Sequence, residues 1–188
     1  MRNDTPTALL REQHRLILRV VDAFERGLAA PDGELPPADD VAEFITFFRL
    51  FTDACHHGKE EDVLFDAMEE AGLSGPLEAM REEHRVGREI VASIADALDG
   101  LRADRADAAT SLRSRAAEYI DFIRGHIARE DDGIFEMADN LLAGPACRTV
   151  CDAYETVCAR RFDGRSVSDL ERAAAVLIDR YADGDSGR

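Results

Sequence analysis

The chain has 188 residues, 45% of them hydrophobic and 33% charged, a composition that fits one folded domain with at most an appendage and excludes a disordered chain. Asp and Glu outnumber Lys and Arg by 39 to 23, a net charge of −16, which excludes the basic footprint of a nucleic-acid binder and argues against docking on an anionic membrane. No apolar run approaches the roughly 20 residues of a spanning helix and no apolar signal core follows Met1, so the four cysteines are expected as reduced thiols in a cytoplasmic protein, not as a disulfide framework.

Helical periodicity dominates, and no alternating run bounded by turn residues marks a strand. The first helix is predicted over residues 6–30, with Thr5 as N-cap and Pro6 in the first position. Its apolar face reads Leu10, His14, Ile17, Val21, Phe24, Leu28, and the Pro/Gly-rich stretch 31–37 ends it. A second helix is predicted over 38–71, with the face Val41, Ile45, Phe48, Thr52, His56, Glu60, Val63, Ala67, and Gly72 stops it. The third starts near Gly75 and ends before Gly100, with Leu77, Met80, His84, Gly87, Val91, Ile94 and Leu98 in strict 3-4 alternation. The fourth, over 107–142, buries Leu112, Ala116, Tyr119, Ile123, His126, Glu130, Ile134, Met137 and Leu141. Four long amphipathic helices with short loops predict an all-α, antiparallel up-down four-helix bundle over residues 1–143. Residues 144–188 then form a C-terminal helical hairpin packed on the bundle, its second helix opened by a capping box of Ser168 and Glu171 and ending in a frayed tail, 183–188.

The informative residues are polar ones on apolar faces. His14, His56, His84 and His126 each occupy the stripe of a different helix, and Glu60 and Glu130 follow two of them at i+4, on the same face. A carboxylate in an apolar interior is costly unless it is paired or bound to a cation. The heights agree: His14 lies roughly 24 Å before the end of the first helix and His56 roughly 27 Å after the start of the second. His84 and His126 lie roughly 23 and 28 Å from the joined ends of theirs, so all four imidazoles fall within about one turn. Imidazole with carboxylate suits iron, manganese or zinc, but four His and two Glu exceed what one tetrahedral zinc uses. Six side chains, two able to bridge, suit a pair of iron ions with a position left open. No Glu stands three residues before any of these histidines, which disfavours a ferritin-type site.

With Glu12-Gln13-His14-Arg15, His56-His57-Gly58-Lys59-Glu60-Glu61, Glu82-Glu83-His84-Arg85 and His126-Ile127-Ala128-Arg129-Glu130, the chain resembles the hemerythrin-like, HHE cation-binding family over about residues 8–142. The resemblance implies that His14, His56, Glu60, His84, His126 and Glu130 ligate a non-haem di-iron centre. The glutamates and an oxo or hydroxo group would bridge it, with zinc or manganese less fitting. It implies a protein that binds or senses oxygen, nitric oxide, peroxide or iron, with a small gas or peroxide as partner; the charge and the lack of a long apolar run set nucleic acid and membrane aside. Two alternatives stand beside this: an enzyme that decomposes hydrogen peroxide, and a plain metal-binding or storage protein.

His57 and Glu61 form a second i, i+4 pair on a neighbouring, partly apolar face; His56 and Glu60 are preferred because they continue the stripe from Ile45. His57 is then an interhelical polar residue whose loss should spare the metal, whereas His126→Ala should lower metal content sharply. Glu130 is preferred over Asp131 by face. The oxygen carriers of the family carry a second His four residues after the third-helix His; here that position is Arg88, so one nitrogen ligand is missing unless His57, a tyrosine or water replaces it. Tyr119 could donate to a ligand, Gly87 leaves room for a ligand or for close packing, and Cys55, Cys147, Cys151 and Cys158 read first as buried packing thiols.

Overall fold

The periodic apolar faces become helices in the computed structural model, which describes residues 5–29, 34–160 and 162–182. In chain order these are α1 (Ala8–Leu28), α2 (38–70), α3 (Gly75–Arg102), α4 (108–141), α5 (Pro145–Cys158) and α6 (Val167–Arg180). The described residues contain no strand; one antiparallel bridge joins Phe162 and Arg165 across a tight turn. None of the helices is long and apolar enough to cross a membrane, among the described residues.

Two of the rods are not regular. In α2 the stretches Phe48–His57 and Glu60–Phe65, and in α4 the stretch Glu130–Ile134, wind in wide π-type turns. Such a turn holds one residue more than an α turn and moves every later side chain round the axis. The consequence is visible in what is buried. Past the wide turns Leu64, Phe65 and Met68 face the core where regular periodicity predicts Val63 and Ala67. Likewise Phe135, Ala138 and Leu142 are buried where Met137 and Leu141 were expected, and Leu141 is 41% exposed.

Helix ends differ from expectation in three places. α1 begins two residues late, after Thr7, and Thr7 does not cap it; its hydroxyl donates to Asp139 at 2.8 Å and fastens the start of α1 to α4. α3 runs through Gly100 to Arg102, because Gly100 is buried against Ala108 and the link to α4 turns on Asp104 and Asp107 at positive φ. The capping box of α6 is Ser166 with Asp169 instead of Ser168 with Glu171: the Asp169 backbone N–H donates to Ser166 Oγ at 3.2 Å, and the Ser166 N–H donates to Asp169 Oδ2 at 2.8 Å. The predicted stop at 31–33 and the tail at 183–188 lie outside the described residues.

The core divides in two. One cluster gathers Phe24, Phe44, Phe48, Phe51, Ile94 and Leu112, and Leu170 and Leu177 of α6 join it. The other gathers Leu10, Phe65, Met68, Leu77 and Phe135, and Val150 and Tyr154 of α5 join that one. On each of α1 to α4 a level of polar residues falls between members of the two clusters, for example between Leu10 and Ile17 on α1 and between Met80 and Ile90 on α3. Apolar packing above and below therefore fixes the height of that level.

The shifted cap gives a direct check. Ser166→Ala should lower unfolding stability in urea by about 1 kcal/mol, whereas Ser168→Ala, at an exposed site, should change it by less than about 0.5 kcal/mol.

Candidate metal centre

Between the two apolar clusters stand His14 from α1, His56, His57 and Glu60 from α2, His84 from α3, and His126 and Glu130 from α4, all 0–5% exposed. The six residues named from sequence are thus brought to one level. His14 Nε2 lies 3.3 Å from Glu130 Oε2 and 4.0 Å from Glu60 Oε1, and His56 Nε2 lies 3.3 Å from Glu60 Oε1. On the other side His84 Nε2 lies 3.5 Å from Glu60 Oε2 and 3.3 Å from Glu130 Oε1, which is also 3.3 Å from His126 Nε2. Each carboxylate therefore turns one oxygen to each side.

His57 is placed differently from the sequence expectation. Its ring stacks on His84 with centroids 3.9 Å apart and meets His126 edge-on at 5.5 Å. The wide turn over Phe48–His57 lets consecutive histidines both point inward, which regular α periodicity would not. Two donor groups result, each with ligand atoms within 4.8 Å of one another: His14, His56, Glu60 and Glu130, and His57, His84 and His126.

The outer nitrogens of four rings are all engaged. His56 Nδ1 lies 3.2 Å from Gln13 Oε1, and His84 Nδ1 lies 2.7 Å from Glu61 Oε1. His126 Nδ1 lies 2.9 Å from Glu83 Oε2, and His14 Nδ1 lies 3.0 Å from Asp131 Oδ1. These partners are acceptors, so each ring keeps a proton on Nδ1 and turns Nε2 inward, the nitrogen a metal takes once any second proton is displaced. The acceptors are themselves held by cations: Gln13 by Lys59 at 3.4 Å, Glu61 by Arg88 at 2.7 Å, Glu83 by Arg129 at 2.7 Å and Asp131 by Arg11 at 3.2 Å.

Sequence reasoning missed Gln13 and Glu83 and weighed Glu61 and Asp131 only as ligands. The signal was there: each stands beside an inward residue of its own helix, and each serves the imidazole of another helix. Cys55 is not a donor to the cluster; its sulfur accepts from Lys59 Nζ at 2.9 Å. Gly87 serves close packing, since a Cβ there would come within 3.0 Å of the Phe122 ring. All four cysteines are free thiols.

The inward atoms are short of partners. His14 Nε2, His56 Nε2, His126 Nε2, both Glu60 oxygens and Glu130 Oε2 are buried without a hydrogen bond. Orphans of this kind cost about 1–3 kcal/mol each. Burial, with Glu130 beside it, pushes the Glu60 carboxyl far above the usual range. Burial acts the same way on Glu130, but the facing His126, His14 and His84 outweigh it and hold that carboxyl below the usual range. Burial also opposes charge on His14 and His84, yet the Asp131 carboxylate that accepts from His14, the Glu130 and Glu61 carboxylates that accept from His84, and the nearby charge of Glu130 and Glu60 raise them to about 9 and about 10. Burial and neighbouring imidazoles hold His56 and His57 well down, and His126 is lowered as well. Protons on His14, His84 and Glu60 thus balance the cluster when no cation does. Nitrogen and oxygen donors without thiolate, and orphans that converge, fit a transition-metal cation in the protons' place.

The raised histidines set a pH dependence for the metal-free chain. Their stabilisation is complete below the unfolded value of about 6.5 and is lost as pH rises through about 9 and about 10. Urea midpoints of chelator-treated protein should therefore fall from about pH 6 to about pH 10, while metal-loaded protein should hold its midpoint far better.

The sequence pattern of the hemerythrin HHE cation binding domain matches residues 5–138, which run from the start of α1 into the last turns of α4 and include every inward donor. Among curated proteins and among solved structures none matches. By a match over most of its length, joined to a buried His/Glu cluster able to hold metal, the chain belongs to the hemerythrin HHE cation-binding domain family.

Proposed function

We propose that this protein holds a non-haem di-iron centre and uses it to bind or sense oxygen, nitric oxide or peroxide. In this reading α1 to α4 form the antiparallel up-down bundle of residues 1–143, and α5 and α6 are a helical extension, 144–188, that covers it. The observation that carries the reading is the pairing of two donor groups around two shared carboxylates, with the outer nitrogens of four imidazoles fixed. His14 and His56 would hold one iron, and His57, His84 and His126 the other, with Glu60 and Glu130 common to both. His57 then replaces the nitrogen that α3 lacks, where Arg88 instead turns outward to Asp53 and Glu61 at 2.7 Å each.

Bound iron would supply reversible one-electron chemistry and an exchangeable position for a small ligand. The chain's own residues supply the rest. The side with two imidazoles has fewer protein donors than the side with three, so a ligand is better accommodated there. Gln13, Glu61, Glu83 and Asp131 keep the imidazoles pointing inward as ligand and charge change. Apolar clusters on both sides keep bulk water out. Free thiols on all four cysteines support a reducing compartment, the cytoplasm.

Metal quantification on natively purified protein is expected to give about two iron ions per chain, with a visible spectrum that changes on adding azide or peroxide. Both His126→Ala and His57→Ala should lower iron content sharply; full iron in His57→Ala would return that residue to a packing role. Glu83→Gln, which strips His126 of its anionic partner, should weaken iron affinity about 10–100-fold. Peroxide consumption above that of free iron would select catalysis over sensing, and metal without any spectral response would leave only storage.

A further inference from the structure

Beside the centre, α2, α3 and α4 line a pocket of about 240 Å³ that is partly open to solvent. Its origin lies in α3. One turn after His84, Arg88 is drawn to the surface by Asp53 and Glu61 and fills none of the interior, while Gly87 lets the Phe122 ring close in as one wall. Phe48, Val91, Phe122 and Ile123 make the apolar wall. Thr52, His57 and Tyr119 line it as well; Thr52 is 1% exposed, and its hydroxyl, without a hydrogen bond of good geometry, stands beside that of Tyr119. Of the charged residues on the rim, Arg88 and Asp53 pair with each other and Arg49 is exposed, so the interior suits an uncharged guest.

The size selects the class. A diatomic gas needs a small fraction of this volume, whereas an apolar cavity of ~150 Å³ already takes up benzene. We propose that the cavity is a binding site for a single-ring, uncharged organic molecule with one hydroxyl, a phenol in chemical class. Its ring lies among Phe48, Val91, Phe122 and Ile123, and its hydroxyl joins those of Thr52 and Tyr119. The site rests on the di-iron reading only through His57, which borders both cavity and cluster.

Phenol itself is the probe, titrated into metal-loaded protein by calorimetry, with iron content and visible spectrum recorded in the same samples. Wild-type protein should bind one phenol saturably. Val91→Phe, which fills the wall side, should abolish binding. Thr52→Val, which keeps the shape and removes the hydroxyl, should weaken it about ten-fold. Both variants should keep their iron. Absence of saturable binding in iron-loaded wild-type protein, or equal binding in wild type and both variants, overturns the proposal. Variant-sensitive phenol binding in protein that takes up no iron sustains the cavity and sinks the di-iron reading instead.

Discussion

Two ionisable carboxyl groups, Glu60 and Glu130, stand at 0% exposure between two blocks of hydrocarbon, and the rest of the molecule answers to them. Water cannot solvate them there, so positive charge must come from something bound. The chain arranges five imidazoles to bring that charge, and its helices cooperate in a closed order. Gln13 of α1 orients His56 of α2, Glu61 of α2 orients His84 of α3, Glu83 of α3 orients His126 of α4, and Asp131 of α4 orients His14 of α1. Each helix thus sets the ring of the next, and the last sets that of the first. Arg11, Arg88 and Arg129 near the surface and the buried Lys59 hold the outer acceptors, so a cation at the centre would complete alternating shells of charge around the buried acidic pair.

Much of this was legible in the residues. Apolar spacing located the helices within a few positions, because long amphipathic stripes leave little freedom once Pro and Gly mark the ends. The inward histidines and glutamates stood out because polar groups on a core face have no bland explanation when they align on four helices. What stayed hidden has physical causes. A wide turn leaves no mark in the pattern of apolar residues, since it appears only as a slip of one position, Leu64 for Val63 or Ala138 for Met137. That slip also concealed His57, which an evenly wound helix would point away from the centre. The outer acceptors were hidden because their partners lie on other helices, and spacing along one chain segment reports nothing of contacts across the bundle. The Ser166 cap was missed for a smaller reason: Ser166 and Ser168 both precede the last helix, and only the path of the chain through the Phe162–Arg165 turn decides between them.

The two donor groups are unequal, and the inequality has a single source. A regular α2 would deliver His56 and Glu60 and leave α3 to supply a second imidazole. Here α2 is wound loosely enough to deliver three donors, and the α3 position is free to hold Arg88 at the surface. The same exchange opens the space lined by Thr52 and Tyr119. A change in helix winding on one rod is thus traded for a cavity beside another.

The closed order of orienting bonds also bears on how the protein is made. His14 leaves the ribosome more than a hundred positions ahead of its partner Asp131. Until α4 has emerged and docked, the His14 imidazole has no fixed tautomer, and Glu130 and His126 are each missing from their donor group. The donor set therefore cannot be completed before α4 has been made, and any loading of it waits on the docking of all four rods.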